Sequence, residues 1–148
     1  MERLTETYAL PEEFRRILPE MRKTKERWRR ERTNAGLAAF SAPVSAAEIE
    51  AMAARPGKAD HPEDYVRIAR QDAAVAAFDA AHRDDPVWRY FELDGQIDAE
   101  IARIRALKEI PQLQNHDFRA DLNKIRELFR KRSELAAEIL KNAKKSAK

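Results

Sequence analysis

"FRADLNKIRELFRKRSELAAEILKNA", residues 118–143, sets Phe118, Leu122, Ile125, Phe129, Arg132, Ala136, Ile139 and Ala143 at alternating spacings of four and three. Residues three and four apart share a helix face, and an apolar repeat averaging 3.5 keeps that face turned toward one partner along its length. The stretch therefore predicts a helix from about Asp117 to Asn142 with a coiled-coil-like seam. Just upstream, "LDGQIDAEIARIRAL", residues 93–107, spaces Leu93, Ile97, Ile101, Ile104 and Leu107 for a single face, inside a helix bounded by Asp85-Pro86 and Pro111. The connection "PQLQNHD" is short, which favours antiparallel neighbours. The pair reads as a helical hairpin over 86–142, with arms of roughly 35 to 40 Å. Gly95 costs that arm about 1 kcal/mol relative to alanine and suggests a kink or a close approach of another backbone. Leu128, Leu135 and Leu140 lie beside the seam and need a cover, from the preceding helix or from symmetry mates.

Turn chemistry divides the remainder. Pro11 and Pro19 each follow leucine and precede glutamate, and proline suits the first turn of a helix while disrupting its interior. This predicts a short helix from Pro11 and a second from Pro19 to Ala35, with Asn34 and Gly36 offering its C-cap. Leu37 to Ala47 reads as an Ala-rich linker. Ser45 with Glu48 forms a capping box, and Pro56-Gly57 ends the short helix that follows. Asp60 or His61 caps a further helix at Pro62, with Tyr65, Ile68, Val75 and Phe78 along one side. The domain organisation expected is a basic N-terminal helical arm over 1–36, a linker with a short helix over 37–59, and a helical bundle over 60–148.

Composition agrees with an all-α fold. Of 148 residues 37% are charged, three are glycine, and 26 of the 43% counted as hydrophobic are alanine. Large apolar side chains are thus scarce, as in helices with narrow stripes completed by neighbours. The absence of cysteine excludes disulfides and thiolate metal sites and fits a reducing cytoplasm. The longest uncharged run, 33–47, is too short to span a bilayer, and the charge-dense first thirty residues do not suit a secretory signal.

The net charge of +3 hides an asymmetry: +3 over 1–36, −6 over 37–117 and +6 over 118–148. The basic focus is "RKTKERWRRER", residues 22–32, with seven cations against Glu26 and Glu31. At 100° per residue Arg22, Lys25, Arg29 and Arg32 share one face, Lys23, Arg27 and Arg30 another, and Met21, Trp28 and Ala35 leave a thin apolar strip. Glu26 is expected to pair with Arg22 and Arg30, and Glu31 with Arg27. The candidate contact residues are Arg22, Lys25, Arg27, Arg29, Arg30 and Arg32, facing either nucleic acid or an acidic protein surface. No helix-turn-helix pairing, zinc finger or strand-borne aromatic pair accompanies them, which weighs against base reading.

Catalysis has little to stand on. His116-Asp117 matches the dipeptide of all-helical metal-dependent phosphohydrolases, and Asp94, Asp98 and Asp121 add carboxylates, but His61, His82 and His116 each sit at a helix end where capping explains them. No catalytic residue, metal or cofactor is assigned. Ser41, Ser45, Ser133 and Ser146 have loop, cap or surface roles. The function expected is a non-catalytic helical assembly or adaptor protein. It would act as a homo-oligomer or with a helical protein partner, and without a membrane, its self-association resting on Leu93, Ile97, Ile101, Ile104, Phe118, Leu122, Ile125, Phe129 and Ile139. The alternative is a basic nucleic-acid-handling accessory subunit, such as a ring-forming helical subunit of a viral DNA-packaging machine.

Overall fold

The helix signals in the sequence are realised as α1 Glu12–Ser41, α2 Ala46–Ala53, α3 Pro62–His82, α4 Pro86–Lys108 and α5 Arg119–Ser146, with a 3₁₀ turn at Pro111–Leu113 between the last two. The computed structural model describes residues 8–146. No strand occurs among them, and none of their helices is long and apolar enough to cross a membrane. The capping box forms as expected, with Glu48 N donating to Ser45 Oγ and Ser45 N to Glu48 Oε1. Asp85 caps α4 by accepting from Val87 N at 2.8 Å, and Asp117 accepts from Arg119 N at 3.0 Å ahead of α5. His61 stands at the N-cap of α3, but its side chain makes no capping bond.

The chain divides into two compact units. The first joins the described residues 8–22 to 85–146. Its ion pairs Arg103–Asp121, Lys124–Glu100 and Arg132–Asp94 fall in a nearly constant register of opposed numbering, so α4 and α5 form the antiparallel hairpin. Ile97, Ile104, Ile125 and Phe129 make one buried cluster, with Tyr8, Ile101, Phe118, Leu122 and Leu128 packed against it. Phe14, Met21, Tyr90, Ala136 and Ile139 make a second, joined by Leu10, Ile17, Leu18, Val87, Phe91 and Leu140. Along both arms Asp94 and Arg132 lie between these clusters. Their side chains meet at 2.7 Å, the guanidinium sits 4.9 Å from the Phe129 ring, and Arg132 Nε is buried without a partner.

Three expectations about this unit are corrected. The cover found over Leu140 is the stretch 8–22, whose Phe14, Ile17, Leu18 and Met21 keep the helical spacing across Pro19. That burial also explains why Pro19 lies inside one continuous α1 rather than opening a new helix. Two apolar anchors on either side offset the hydrogen bond that proline cannot donate. Gly95 brings no backbone close, since a Cβ there would meet nothing within 4 Å.

The second unit, residues 23–84, contains the rest of α1 with α2 and α3. Here α1 continues through the expected Asn34/Gly36 cap and into the expected linker as far as Ser41. Its last turn has no basic residue of its own. One carbonyl of that last turn and two just past it are instead met from α3: Arg67 donates to Phe40 O at 2.6 Å and Ala42 O at 3.2 Å, and Arg70 to Ala42 O at 3.1 Å and Pro43 O at 2.9 Å. Arg70 also clasps both oxygens of Glu48, tying α2 to α3. The Ser45 backbone bond, with Arg70 and the Ser45 hydroxyl, holds the Glu48 carboxyl below the usual glutamate range. Of the expected α3 face, Ile68 is exposed, while Val66, which that face did not include, is buried.

The glycines yield a contrast. A Cβ at Gly36 would stand 3.2 Å from Val75 Cγ2 and 3.3 Å from Gln71 Cγ, so this glycine is where α1 and α3 approach closely. Gly95→Ala, with open space, is expected to raise stability by about 0.5–1 kcal/mol through helix propensity. Gly36→Ala should gain clearly less or lose, because Val75 and Gln71 must move. Urea melts of both variants check this, and equal gains would contradict the close approach.

Candidate functional site on the basic helix

Residues 22–32 form three turns of α1 around the buried Trp28. The indole meets the His82 ring edge-on at 5.2 Å, and His82 stacks on Phe78 at 4.1 Å with Nδ1 2.8 Å from Phe78 O. Trp28 is therefore a packing anchor, turned away from solvent. Arg32 is also turned to the protein, donating from Nε and Nη2 to the two oxygens of Asp79 at 2.8 and 3.0 Å.

The other cations point outward. Glu26 pairs with Arg29, three residues on, and not with Arg22 and Arg30 as the sequence suggested. That hydrogen bond, followed by the charges of Arg29, Arg30 and Lys25, holds the Glu26 carboxyl below its ordinary range. Arg27 approaches Glu31 at 3.6 Å, as expected. Arg22 and Arg30 form no ion pair with a described residue, and both are exposed, as are Lys23 and Lys25. Of the seven cations, Glu26 thus engages Arg29, Glu31 engages Arg27 and Asp79 engages Arg32.

No family model, curated protein or solved structure matches this chain. Its chemistry has to be read from its own side chains.

The histidines do not converge. His82 is packed in the second unit, whereas His116 belongs to the first, 4.0 Å from Asp121 and edge-on to Phe118 at 4.7 Å. Asp117 is engaged by Arg119, whose hydrogen bond holds its carboxyl below the usual aspartate range. Asp94 serves Arg132, and Asp121 serves Arg103. Among the described residues no three His, Asp or Glu side chains are grouped to hold a metal ion.

The residues expected to drive self-association are used within one chain. Ile97, Ile104, Ile125, Phe129 and Ile139 are buried in the two hairpin clusters, while Leu93, Ile101, Phe118 and Leu122 are half-buried. A groove of about 490 Å³ opens along α4 and α5, rimmed by Arg89, Arg130 and Lys131 against Glu92, Glu134 and Glu138. Its charges cancel, and Arg130 is already paired with Glu127 and Glu134. Sequence reasoning missed Asp79 as the partner of Arg32 and the capping by Arg67 and Arg70. These are long-range contacts between α1, α3 and the turn after α1, and helical periodicity carries no signal for them.

Proposed function

We propose that this chain is a non-catalytic helical module of the assembly or adaptor kind, and that it makes its contacts through the outward face of α1 at residues 22–30. One observation carries the reading: large apolar side chains are spent inside, while this helix stretch exposes a run of cations, of which Arg22 and Arg30 form no ion pair among the described residues. Only Leu37, Ile68 and Ile110 are exposed among the large hydrophobics described. Association through the hairpin seam would have to borrow side chains already packed there, whereas association through charge borrows nothing.

The reading is tested by retention on immobilised heparin, a generic polyanion. The wild type is expected to elute at higher salt than Arg22→Glu/Arg29→Glu/Arg30→Glu. A control with the same charge change on α5, Lys131→Glu/Lys141→Glu/Lys145→Glu, is expected to elute near the wild type. Equal elution of the wild type and the α1 reversal would remove the proposal.

A further inference from the structure

A separate surface lies wholly within the hairpin unit and goes beyond the contact assigned to α1, on which it does not rest. We propose that the groove between α4 and α5 is a two-fold interface with a second copy of this chain, in which the hairpins pack antiparallel, α4 on α4 and α5 on α5. The groove has Leu93 and Leu135 in its floor and exposed charged side chains along both walls. Arg130 and Glu134 hold each other there. Arg89 and Glu92 on α4, and Lys131 and Glu138 on α5, are exposed, and their side chains form no ion pair with a described residue. One face of one unit thus carries two unpaired cations and two unpaired anions.

The placement of these four charges selects the partner. Arg103–Asp121, Lys124–Glu100 and Arg132–Asp94 fix the register of the two arms. Continued toward the start of α4, that register sets the midpoint of residues 89 and 92 level with the midpoint of 131 and 138, within about one residue or roughly 1.5 Å. A two-fold axis laid across both arms at this level reverses each helix onto its own copy. It brings Lys131 opposite the second copy's Glu138 and Arg89 opposite the second copy's Glu92, and each contact occurs twice, because in an isologous interface residue i meets j and j meets i. One axis satisfies all four groups. A uniformly acidic or uniformly basic partner would instead leave two of the four against like charge. The same axis overlaps α5 with its copy over 123–146 and α4 over 86–95. It borrows no side chain from either buried cluster, since Leu93 and Leu135 belong to neither. A small apolar floor ringed by exposed charges makes the contact reversible and weakened by salt.

The test is sedimentation equilibrium of the full chain at low salt, from about 5 to about 200 μM, the range in which a weak interface of this kind dissociates. The wild-type mass is expected to rise from one chain toward two. Glu92→Arg/Glu138→Lys makes the four groups all basic, and Arg89→Glu/Lys131→Glu makes them all acidic. Each variant alone should associate at least about tenfold more weakly than the wild type, because every contact then sets like charges together. Mixed in equal amounts, the two should form a dimer at least as tight as the wild type, since each cation again meets an anion. Arg105→Glu/Arg119→Glu, a charge change of the same size outside the overlap, should associate like the wild type. All the substituted positions are exposed, so circular dichroism should report unchanged helix content. A wild type that stays a single chain at the highest concentration would overturn the interface and leave the groove to another molecule or to none. Association retained by both groove variants would place the contact elsewhere, and a mixture that fails to restore the dimer would overturn the axis. Equal weakening by Arg105→Glu/Arg119→Glu would overturn the site, because net charge would then explain the effect.

Discussion

Replacing Ile125 by aspartate is expected to destabilise the hairpin unit by about 4 kcal/mol or more, enough to unfold it near room temperature. Ile125 is fully buried among Ile97, Ile104 and Phe129, at the point where the two arms meet. The change removes three apolar carbons from the cluster and puts a carboxylate among Ile97, Ile104 and Phe129. Truncating a buried isoleucine alone costs about 2–5 kcal/mol, and an unpaired buried polar group adds about 1–3 kcal/mol. A domain of this size has only about 5–15 kcal/mol to lose. Ile125→Val, which removes one methylene, should cost about 1 kcal/mol. Urea denaturation followed by circular dichroism reads both. A loss below about 1 kcal/mol for the aspartate variant would mean that position 125 does not lie in the core.

The second large effect concerns the polar layer between the two apolar clusters. Asp94→Ala is expected to cost about 2 kcal/mol, because Arg132, with only 13% of its side chain exposed, would keep its charge and lose its carboxylate. The figure sits below that of a fully buried pair because Asp94 is itself more than a third open to water. Arg132→Leu should cost less, since the remaining aspartate can be hydrated. The double variant Asp94→Ala/Arg132→Leu should be more stable than Asp94→Ala alone, giving a coupling energy of about 1 kcal/mol or more in a double-mutant cycle. Arg132 Nε has no partner in any case, so an apolar replacement removes a buried unsatisfied donor as well as a charge. Additive losses would show that the pair does not act as a unit. A charged pair at a seam position also fixes which residues face each other, as a single polar position does in coiled coils. Shifting α5 by one heptad against α4 would bring Arg132 opposite Ile101 or Val87.

Helices whose boundaries rest on local chemistry were legible in the sequence. The Ser45–Glu48 box, Asp85 before Pro86 and the four–three spacing of residues 118–139 each carry their signal within a few residues, and the structure follows them. Pro19, Gly36 and the 37–41 stretch were misread for one shared reason. Each is a local helix breaker overridden by partners far along the chain: Tyr90, Ala136 and Ile139 packed on Phe14 and Met21, Val75 beside Gly36, and Arg67 on Phe40 O. The candidate site was legible as a basic helix with an apolar strip. Its division was not, because which cation is neutralised depends on Asp79, 47 residues away, and on Glu26 choosing Arg29 over Arg22 and Arg30.

If contact is made by the cationic face of α1, the apolar residues of the hairpin stay packed within their own unit when a polyanion binds. Amide and arginine side-chain NMR signals of the labelled chain, followed while a short heparin oligosaccharide is added at low salt, address this directly. Shifts should concentrate at residues 22–30, return on raising salt, and leave Ile104, Ile125, Phe129 and Ile139 in place. Shifts centred on the 89–96 and 130–138 groove, or broadening of the buried hairpin signals, would contradict it.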